Sequence, residues 1–139
     1  MFNVQCLIIN GYFFKTISDG GINVDMIIQN KTETKTTDIS FTVFKSELRR
    51  AMDAVRKAAR SVHAGHVGCD ENVAKVSVVG IGMKSHTGVA SKMFGALAKN
   101  RINIDMISTS EIKISCVVPG NKGKQAVRAL HKEFGLGRR

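Results

Sequence analysis

The chain carries one alternating pattern of apolar and polar residues twice. Residues 22–27 read INVDMI, and residues 102–107, 80 positions later, read INIDMI. Such alternation predicts strands with one buried face, over residues 22–29 and 102–110. A second strand-like run follows each copy, ISFTV at 39–43 and ISCVV at 114–118, so each copy predicts an antiparallel hairpin. A repeat of this length indicates a duplicated small domain rather than a solenoid unit.

Helical spacing of apolar residues surrounds each predicted hairpin. Helices are expected at residues 11–19 before the first hairpin and from about residue 46 to Ser61 after it. In the second copy, a helix follows the glycine-containing loop at 80–88, and the last helix is expected at 124–134. The residues of the last helix that we expect to face the core are Val127, Leu130 and Phe134.

Only the second copy shows a strand in front of its first helix. That strand-like run is VAKVSVVG at 73–80, and the same 80-residue offset gives the first copy no counterpart. Each copy therefore reads strand, helix, strand, strand, helix, with a closing strand still expected, which is the order of the ferredoxin-like βαββαβ fold. We predict an α+β chain of two such units in tandem, 1–70 and 71–139. Each would be an antiparallel sheet with helices on one face, with terminal strands that the sequence does not show.

Composition and charge narrow the functional classes. The net charge is +10 and the pI is about 9.9, but the basic residues alternate with apolar ones at helical spacing, as in KSELRRAMDAVRKAAR at 45–60. This favours a solvated helix face over a nucleic-acid surface. No apolar run approaches the roughly 18 residues that a membrane span needs. Three cysteines, an odd number, do not make a disulfide framework, and the expected compartment is the reducing cytoplasm.

The sequence predicts no catalytic residue, no cofactor and no metal site. A phosphate-binding GxxxxGK[ST] motif is absent, and the glycine spacing of GIGMKS at 80–85 does not match it. His63, His66 and Cys69 lie three residues apart, but a fourth zinc ligand is not evident. Cys116 falls within a predicted strand and is expected to be a small core residue.

Longer strings resemble a known family. VAKVSVVGIGMKSHTGVASKMFGALAKNRINIDMISTSEIKISCVV, residues 73–118, resembles the second ACT domain of aspartate kinase. GGINVDMIIQN followed by TTDISFTV resembles that enzyme's first ACT domain, and ALHKEFGL resembles its C-terminal end. The resemblance covers about residues 13–136. It implies a regulatory tandem that binds lysine, threonine or both at interfaces between ACT units and shifts a linked kinase domain towards an inactive state.

The resemblance also implies which residues bind the effector. A helix N-terminus at 85–89 offers unpaired N–H groups to a carboxylate, and Asp25 or Glu111 offers a negative partner for an ammonium group. Asn103 and Gln29 both donate and accept hydrogen bonds, which suits an amino-acid backbone. The implied positions are Asp25, Gln29, Ser85, Gly88, Val89, Ala90, Asn103, Ile104, Ser110 and Glu111.

Two departures from the family pattern stand out. The first copy has no Asp-Lys-Pro-Gly-like loop, so its first strand and effector loop are either absent or rebuilt from MFNVQCLII at 1–9. In the second copy the loop reads SHTG, and Thr87 stands where the family has proline, which removes a rigid turn.

We therefore predict a non-catalytic chain that senses lysine or threonine in aspartate-family amino-acid biosynthesis. Its expected partners are a second copy, through ACT domains, and an aspartate kinase catalytic domain or subunit, with neither nucleic acid nor membrane. Two alternatives stay open. One is a non-functional aspartokinase fragment, and the other is a basic ferredoxin-like nucleic-acid-binding protein.

Overall fold

The two repeated hairpins form as predicted, one in each of two units of the chain, Met1–Glu71 and Asn72–Arg139. The structure is a computed structural model and describes residues 1–6, 11–34, 36–80 and 86–137. Residues 22–30 and 102–110 have the same sequence of buried, half-buried and exposed positions. The repeat in sequence is therefore a repeat in packing.

The first unit, Met1–Glu71, has the full ferredoxin-like order of elements. Its sheet runs β2-β3-β1-β4, and all neighbouring strands are antiparallel. A short 3-10 turn, Lys45–Glu47, leads into the second helix. The elements are β1 Phe2–Cys6, α1 Gly11–Asp19, β2 Val24–Lys31, β3 Thr37–Val43, α2 Leu48–Ser61 and β4 His66–Cys69.

The second unit, Asn72–Arg139, repeats this order up to its second helix. Its sheet runs β5-β7-β6, again antiparallel, and within the described residues no strand corresponds to β4. The elements are β5 Val73–Val79, α3 His86–Lys99, β6 Met106–Thr109, β7 Lys113–Pro119 and α4 Gly123–Glu133. The two units together confirm the predicted α+β fold of tandem ferredoxin-like domains.

The first unit has a first strand although the 80-residue offset shows none. Phe2 of β1 pairs with Phe41, and Val76 of β5 pairs with Cys116, which occupies the place of Phe41 in the second hairpin. The two strands therefore correspond at an offset of 74 residues, because the first unit reaches its hairpin by a shorter connection. Of the two alternatives, a rebuilt strand is the one found.

An aromatic cluster forms the core of the first unit. Phe41 of β3 lies at its centre, with ring centroids 5.4 Å from Phe2, 6.2 Å from Phe13 and 6.0 Å from Phe14. Phe2, Phe13 and Phe41 are fully buried. Helix α2 packs on this cluster through Val55 and through alanines, whose small side chains allow close approach: Ala51, Ala54 and Ala58.

The core of the second unit is aliphatic. Met93 and Leu97 of α3 pack against Ile114 and Cys116 of β7, so the expectation that Cys116 is a core residue is confirmed. The inward positions of α4 were predicted incorrectly in one case. Ala126 and Leu130, one helical turn apart, are the buried residues of α4, whereas Val127 is 56% exposed. Val127 follows the buried Ala126, and successive residues of a helix point in different directions around its axis. The Val127 side chain therefore lies on the flank of α4 that faces β5 and not in the core.

Phe41→Ala is expected to destabilise the first unit by about 3–5 kcal/mol, because it opens a cavity where three other rings meet. Phe44→Ala is the matched control, since Phe44 is 62% exposed, and its effect should stay within about 0.5 kcal/mol. Urea unfolding followed by circular dichroism measures both. Equal stability of the two variants would contradict the central position of Phe41.

Candidate functional site

One end of the second unit gathers several of the implied residues. β5 ends at Val79, which pairs with Lys113 at the start of β7, and the Gly80 N–H donates to the Ile112 carbonyl at 2.8 Å. The turn between β6 and β7 therefore lies beside the end of β5. Because α3 begins at His86, shortly after β5, the start of α3 and this turn lie at the same end of the unit.

Ser110 and Glu111 form that turn. The Ser110 N–H donates to the Lys113 carbonyl at 2.7 Å, and its hydroxyl lies 3.5 Å from the same carbonyl and 3.4 Å from the Ile112 nitrogen. The Ser110 side chain thus makes its contacts within the turn and stabilises it. Glu111 is exposed beside it, and its carboxylate is a negative group at this end.

The first turn of α3 faces the same end of the unit. Gly88 is exposed, and a β-carbon added there would meet nothing within 4 Å, so open space adjoins the helix start. Val89 and Ala90 are half-buried and hold this turn against the core of the unit. The first N–H groups of a helix have no partner within it and are suited to an anion. The predicted Ser85 lies outside the described residues.

Asn103 and Ile104 lie at the other end of the second unit. We expected a strand over residues 102–110, but β6 covers only Met106–Thr109 and both residues precede it. Arg101 adopts a left-handed backbone with φ of 56°, and this turns the chain out of α3. Ile104 is half-buried against the core and Asn103 is exposed. The structure therefore does not bring Asn103 together with Glu111, because the length of β6 separates them.

Asp25 and Gln29 are exposed residues of β2, an edge strand of the first unit. Gln29 pairs with Ile39, while Asp25 lies within the register shift between Val24 and Ile27. Such an irregularity re-aims a side chain relative to a regular strand. These two residues and the pair Asn103 and Ile104 belong to different units, so their meeting in one pocket stays a prediction.

Sequence reasoning missed a groove in the second unit. It has a volume of about 370 Å³ and lies between β5 and α4, so we call it the α4–β5 groove. Val89, one of the implied residues, lies at its edge. The exposed Val127 was the signal that could have revealed it. The lining residues are Val76, Ser77, Val78, Val79, Gly80, Val89, Val127, Leu130, His131, Phe134 and Leu136.

The side chains of two cysteines, Cys69 and Cys116, are described, and neither thiol is activated as a nucleophile. Burial raises the pKa of the Cys116 thiol to about 11. Burial is also the main cause of the raised pKa of Cys69, with Glu71 and Asp70 adding to it. A catalytic thiol needs the opposite shift. Over the described ranges, no group of three His, Cys, Asp or Glu side chains is placed to hold a metal, and no helix is long and apolar enough to cross a bilayer.

Comparison with known proteins decides the family. The sequence profile of the ACT domain matches residues 9–59 and 76–134, one segment in each unit. This chain belongs to the ACT domain family. The two matches fall on the two hairpins and their flanking helices, one match in each unit.

The relatives of this ACT tandem are aspartate kinases. The aspartokinase of Pseudomonas aeruginosa is 50% identical over 120 residues, which cover 86% of this chain and 29% of that enzyme. A structure of aspartokinase alpha and beta subunits matches with a TM-score of 0.84 and 39% identity, covering 96% of this chain and 92% of that one. The ligand-free regulatory subunit of aspartate kinase from Thermus thermophilus has the same TM-score at 32% identity, with 96% and 90% coverage.

The predicted recognition is thereby confirmed, and its extent is defined. The chain spans about 29% of the length of the curated enzyme it matches, but it is nearly coextensive with a separate regulatory subunit. It corresponds to the regulatory ACT region of an aspartate kinase.

Alkylation of the native protein at mildly alkaline pH should label Cys69 much faster than Cys116. The thiolate is the reactive form, and Cys116 is fully buried with a raised pKa, whereas Cys69 is exposed. Mass spectrometry of the labelled peptides measures the two rates, and labelling in denaturant, where both should react alike, is the control. Equal rates in the native protein would contradict the burial of β7.

Proposed function

We propose that this chain is the feedback-sensing region of an aspartate kinase, which binds lysine or threonine and shifts a catalytic partner towards a less active state. The observation that carries the proposal is its near-complete overlap with aspartate kinase regulatory subunits. The catalytic partner is an aspartate kinase domain or subunit. We place both in the cytoplasm, and the proposed assembly includes a homodimer through ACT domains, because open sheet edges favour pairing with a neighbour.

The two ends of the second unit suggest two subsites for an amino acid. At one end, the first turn of α3 offers N–H groups to the carboxylate, and Glu111 offers a partner for the ammonium group. At the other end, the exposed amide of Asn103 is suited to both groups of the amino-acid backbone. We propose that Asp25 and Gln29 complete this second subsite from a first unit. A lysine effector adds a side-chain ammonium, for which Asp25 is a suitable partner.

Asn103→Ala is expected to weaken binding of the effector by about tenfold, because it leaves the polar groups of the ligand without a partner. Asn121→Ala is the matched control, since Asn121 is also exposed but lies in the turn before α4. Calorimetric titration with lysine, threonine and methionine measures each affinity. Equal binding by wild type and Asn103→Ala would remove Asn103 from the site.

The Glu111→Gln variant tests which of the two proposed subsites binds the effector. If Glu111 holds the ammonium group, the variant should bind about tenfold more weakly, because the charge-assisted hydrogen bond becomes a neutral one. Glu33→Gln removes one exposed carboxylate from the first unit and serves as the control. An effect of Asn103→Ala without any effect of Glu111→Gln would place the effector at the Asn103 end alone.

The same titrations test the two alternatives. Binding of none of these amino acids by the wild type would favour a non-functional fragment. Oligonucleotide binding that falls steeply with salt, in a chain that ignores amino acids, would favour the nucleic-acid alternative.

A further inference from the structure

Three basic residues surround a hollow at the end of α2, which we call the α2 hollow. Arg56, Arg60 and His63 line it, and its volume is about 490 Å³. Residues four apart lie on one face of a helix, so the two arginines are neighbours, and His63 follows them just beyond the end of α2. The α2 hollow therefore brings three basic groups together beside small apolar side chains. The other described lining residues are Ala59, Ala64 and Val67.

Arg56 and Arg60 form no ion pair within the described residues. The side-chain salt bridges found there lie in α1 and around the start of α2. The acidic residue of α2, Asp53, lines a different hollow, between α1 and α2. Each guanidinium group can therefore bind an anion from solution without first giving up a salt bridge.

The backbone around the α2 hollow is fixed by hydrogen bonds. The Ala64 N–H donates to the Ala59 carbonyl at 2.9 Å, which closes the end of α2 around His63. The Gly65 N–H donates to the Gln5 carbonyl at 2.8 Å and ties the following residues to β1. A ligand would therefore meet a preformed turn, and little backbone freedom would be lost when it binds.

His63 adopts a backbone conformation that usually belongs to glycine. Its φ is 52°, in the left-handed region, where a residue with a β-carbon is strained. Glycine is the usual residue at this position after a helix. At the same place after α4 the chain has Gly135, with φ of 65°. The His63 side chain therefore costs stability that glycine would not, and this indicates a role outside the turn.

The basic residues at the end of α2 recur at the end of α4. Counted back from the last residue of its helix, Arg128 occupies the place of Arg56, and Lys132 occupies that of Arg60. Together with His131 they line a hollow of the same volume, about 490 Å³. A helix macrodipole favours basic residues only in the last turn, so it does not account for either arginine. A basic hollow in both units indicates a function in binding rather than in helix stability.

We propose that the α2 hollow binds the phosphate groups of a small phosphorylated molecule. Two guanidinium groups are suited to bidentate hydrogen bonds with phosphate oxygens, and the imidazole of His63 supplies a further N–H. The alanines and Val67 are suited to contact the uncharged part of such a molecule. The volume of the α2 hollow is that of an ordinary small-molecule site.

The charge of the first unit favours a small molecule over a nucleic acid. Residues 1–71 hold nine of the 21 Lys and Arg residues and eight of the eleven Asp and Glu residues, so this unit is nearly neutral. A nucleic-acid chain needs a continuous basic track along its backbone, whereas a phosphorylated small molecule needs one basic hollow.

The proposal goes beyond amino-acid sensing and does not rest on it. Asp25 and Gln29 lie on β2, at one edge of the first sheet. Val67, which lines the α2 hollow, lies on β4 at the opposite edge. A lysine or threonine titration and a phosphate titration therefore test separate surfaces of the first unit.

Calorimetric titration of the full chain with pyrophosphate, without divalent metal, is the first test. Pyrophosphate should bind, whereas acetate at the same concentration, which offers a single carboxylate, should not. Nuclear magnetic resonance of the isotope-labelled chain locates the site. The amide signals of His63 and Ala64 should shift on titration with pyrophosphate, and they should shift more than those of α4.

Two arginine variants separate the α2 hollow from general charge attraction. Arg56→Gln removes one guanidinium group from the hollow and should weaken pyrophosphate binding by about tenfold. Arg49→Gln is the matched control, because Arg49 is an exposed arginine near the other end of the same helix. It removes the same charge and should change the affinity by less than about twofold.

His63→Gly should act in opposite directions on stability and on binding. Glycine relieves the left-handed backbone, so the midpoint of urea unfolding should rise. The loss of the imidazole should weaken pyrophosphate binding by about tenfold. A histidine that acts only within the turn would change stability and leave the affinity unaltered.

Four results would overturn the inference. One is no binding of pyrophosphate at millimolar concentration, and another is equal weakening by Arg56→Gln and Arg49→Gln, which would show diffuse attraction. Amide shifts confined to the end of α4 would place the ligand in the second unit. Displacement of pyrophosphate by oligothymidylate at equal phosphate concentration would make a nucleic acid the ligand. Lysine or threonine binding is unaffected by any of these outcomes, so the two proposals can fail separately.

Discussion

Each unit of this chain depends on the burial of the second strand of its hairpin. β3 lies between β2 and β1, and β7 lies between β6 and β5, so both have neighbours on two sides and helices over one face. At the equivalent positions Phe41 and Cys116, side chains of very different size are both fully buried. The surroundings differ as well, because Phe41 meets three other phenylalanine rings, whereas the core around Cys116 is mainly aliphatic. The same fold therefore accommodates an aromatic core in one unit and an aliphatic core in the other.

Local patterns predicted most of this fold, and the failures have physical causes. Alternation over four to eight residues is a strong local signal, so both hairpins were predicted. β1 was missed by the repeat because a shorter connection moved its offset from 80 to 74 residues. The strand predicted over residues 102–110 shortened to Met106–Thr109, since Ile102 and Ile104 contact the core before the chain joins the sheet. Val127 was misplaced because helical spacing does not fix which side of an apolar stripe a neighbouring strand covers.

The candidate site was less accessible to sequence reasoning. The family resemblance indicated which residues belong to the candidate site. In the structure, those of the second unit lie at two opposite ends of that unit, with Glu111 at one end and Asn103 at the other. A local sequence pattern could not predict this separation, because it follows from the direction in which β6 runs through the unit. The α4–β5 groove lay outside the prediction for a similar reason. An unpaired strand edge is a property of the sheet as a whole and leaves no mark on the strand's own sequence.

The unequal distribution of aromatic residues between the two cores has an optical consequence. The chain has no tryptophan, and its one tyrosine, Tyr12, lies in α1 of the first unit. Five of its seven phenylalanines also lie in that unit, three of them fully buried. The near-ultraviolet circular dichroism of the protein must therefore arise mainly from the first unit, while the far-ultraviolet signal comes from both. The second unit is thus nearly invisible to aromatic spectroscopy, and a single tryptophan placed there would report on that repeat alone.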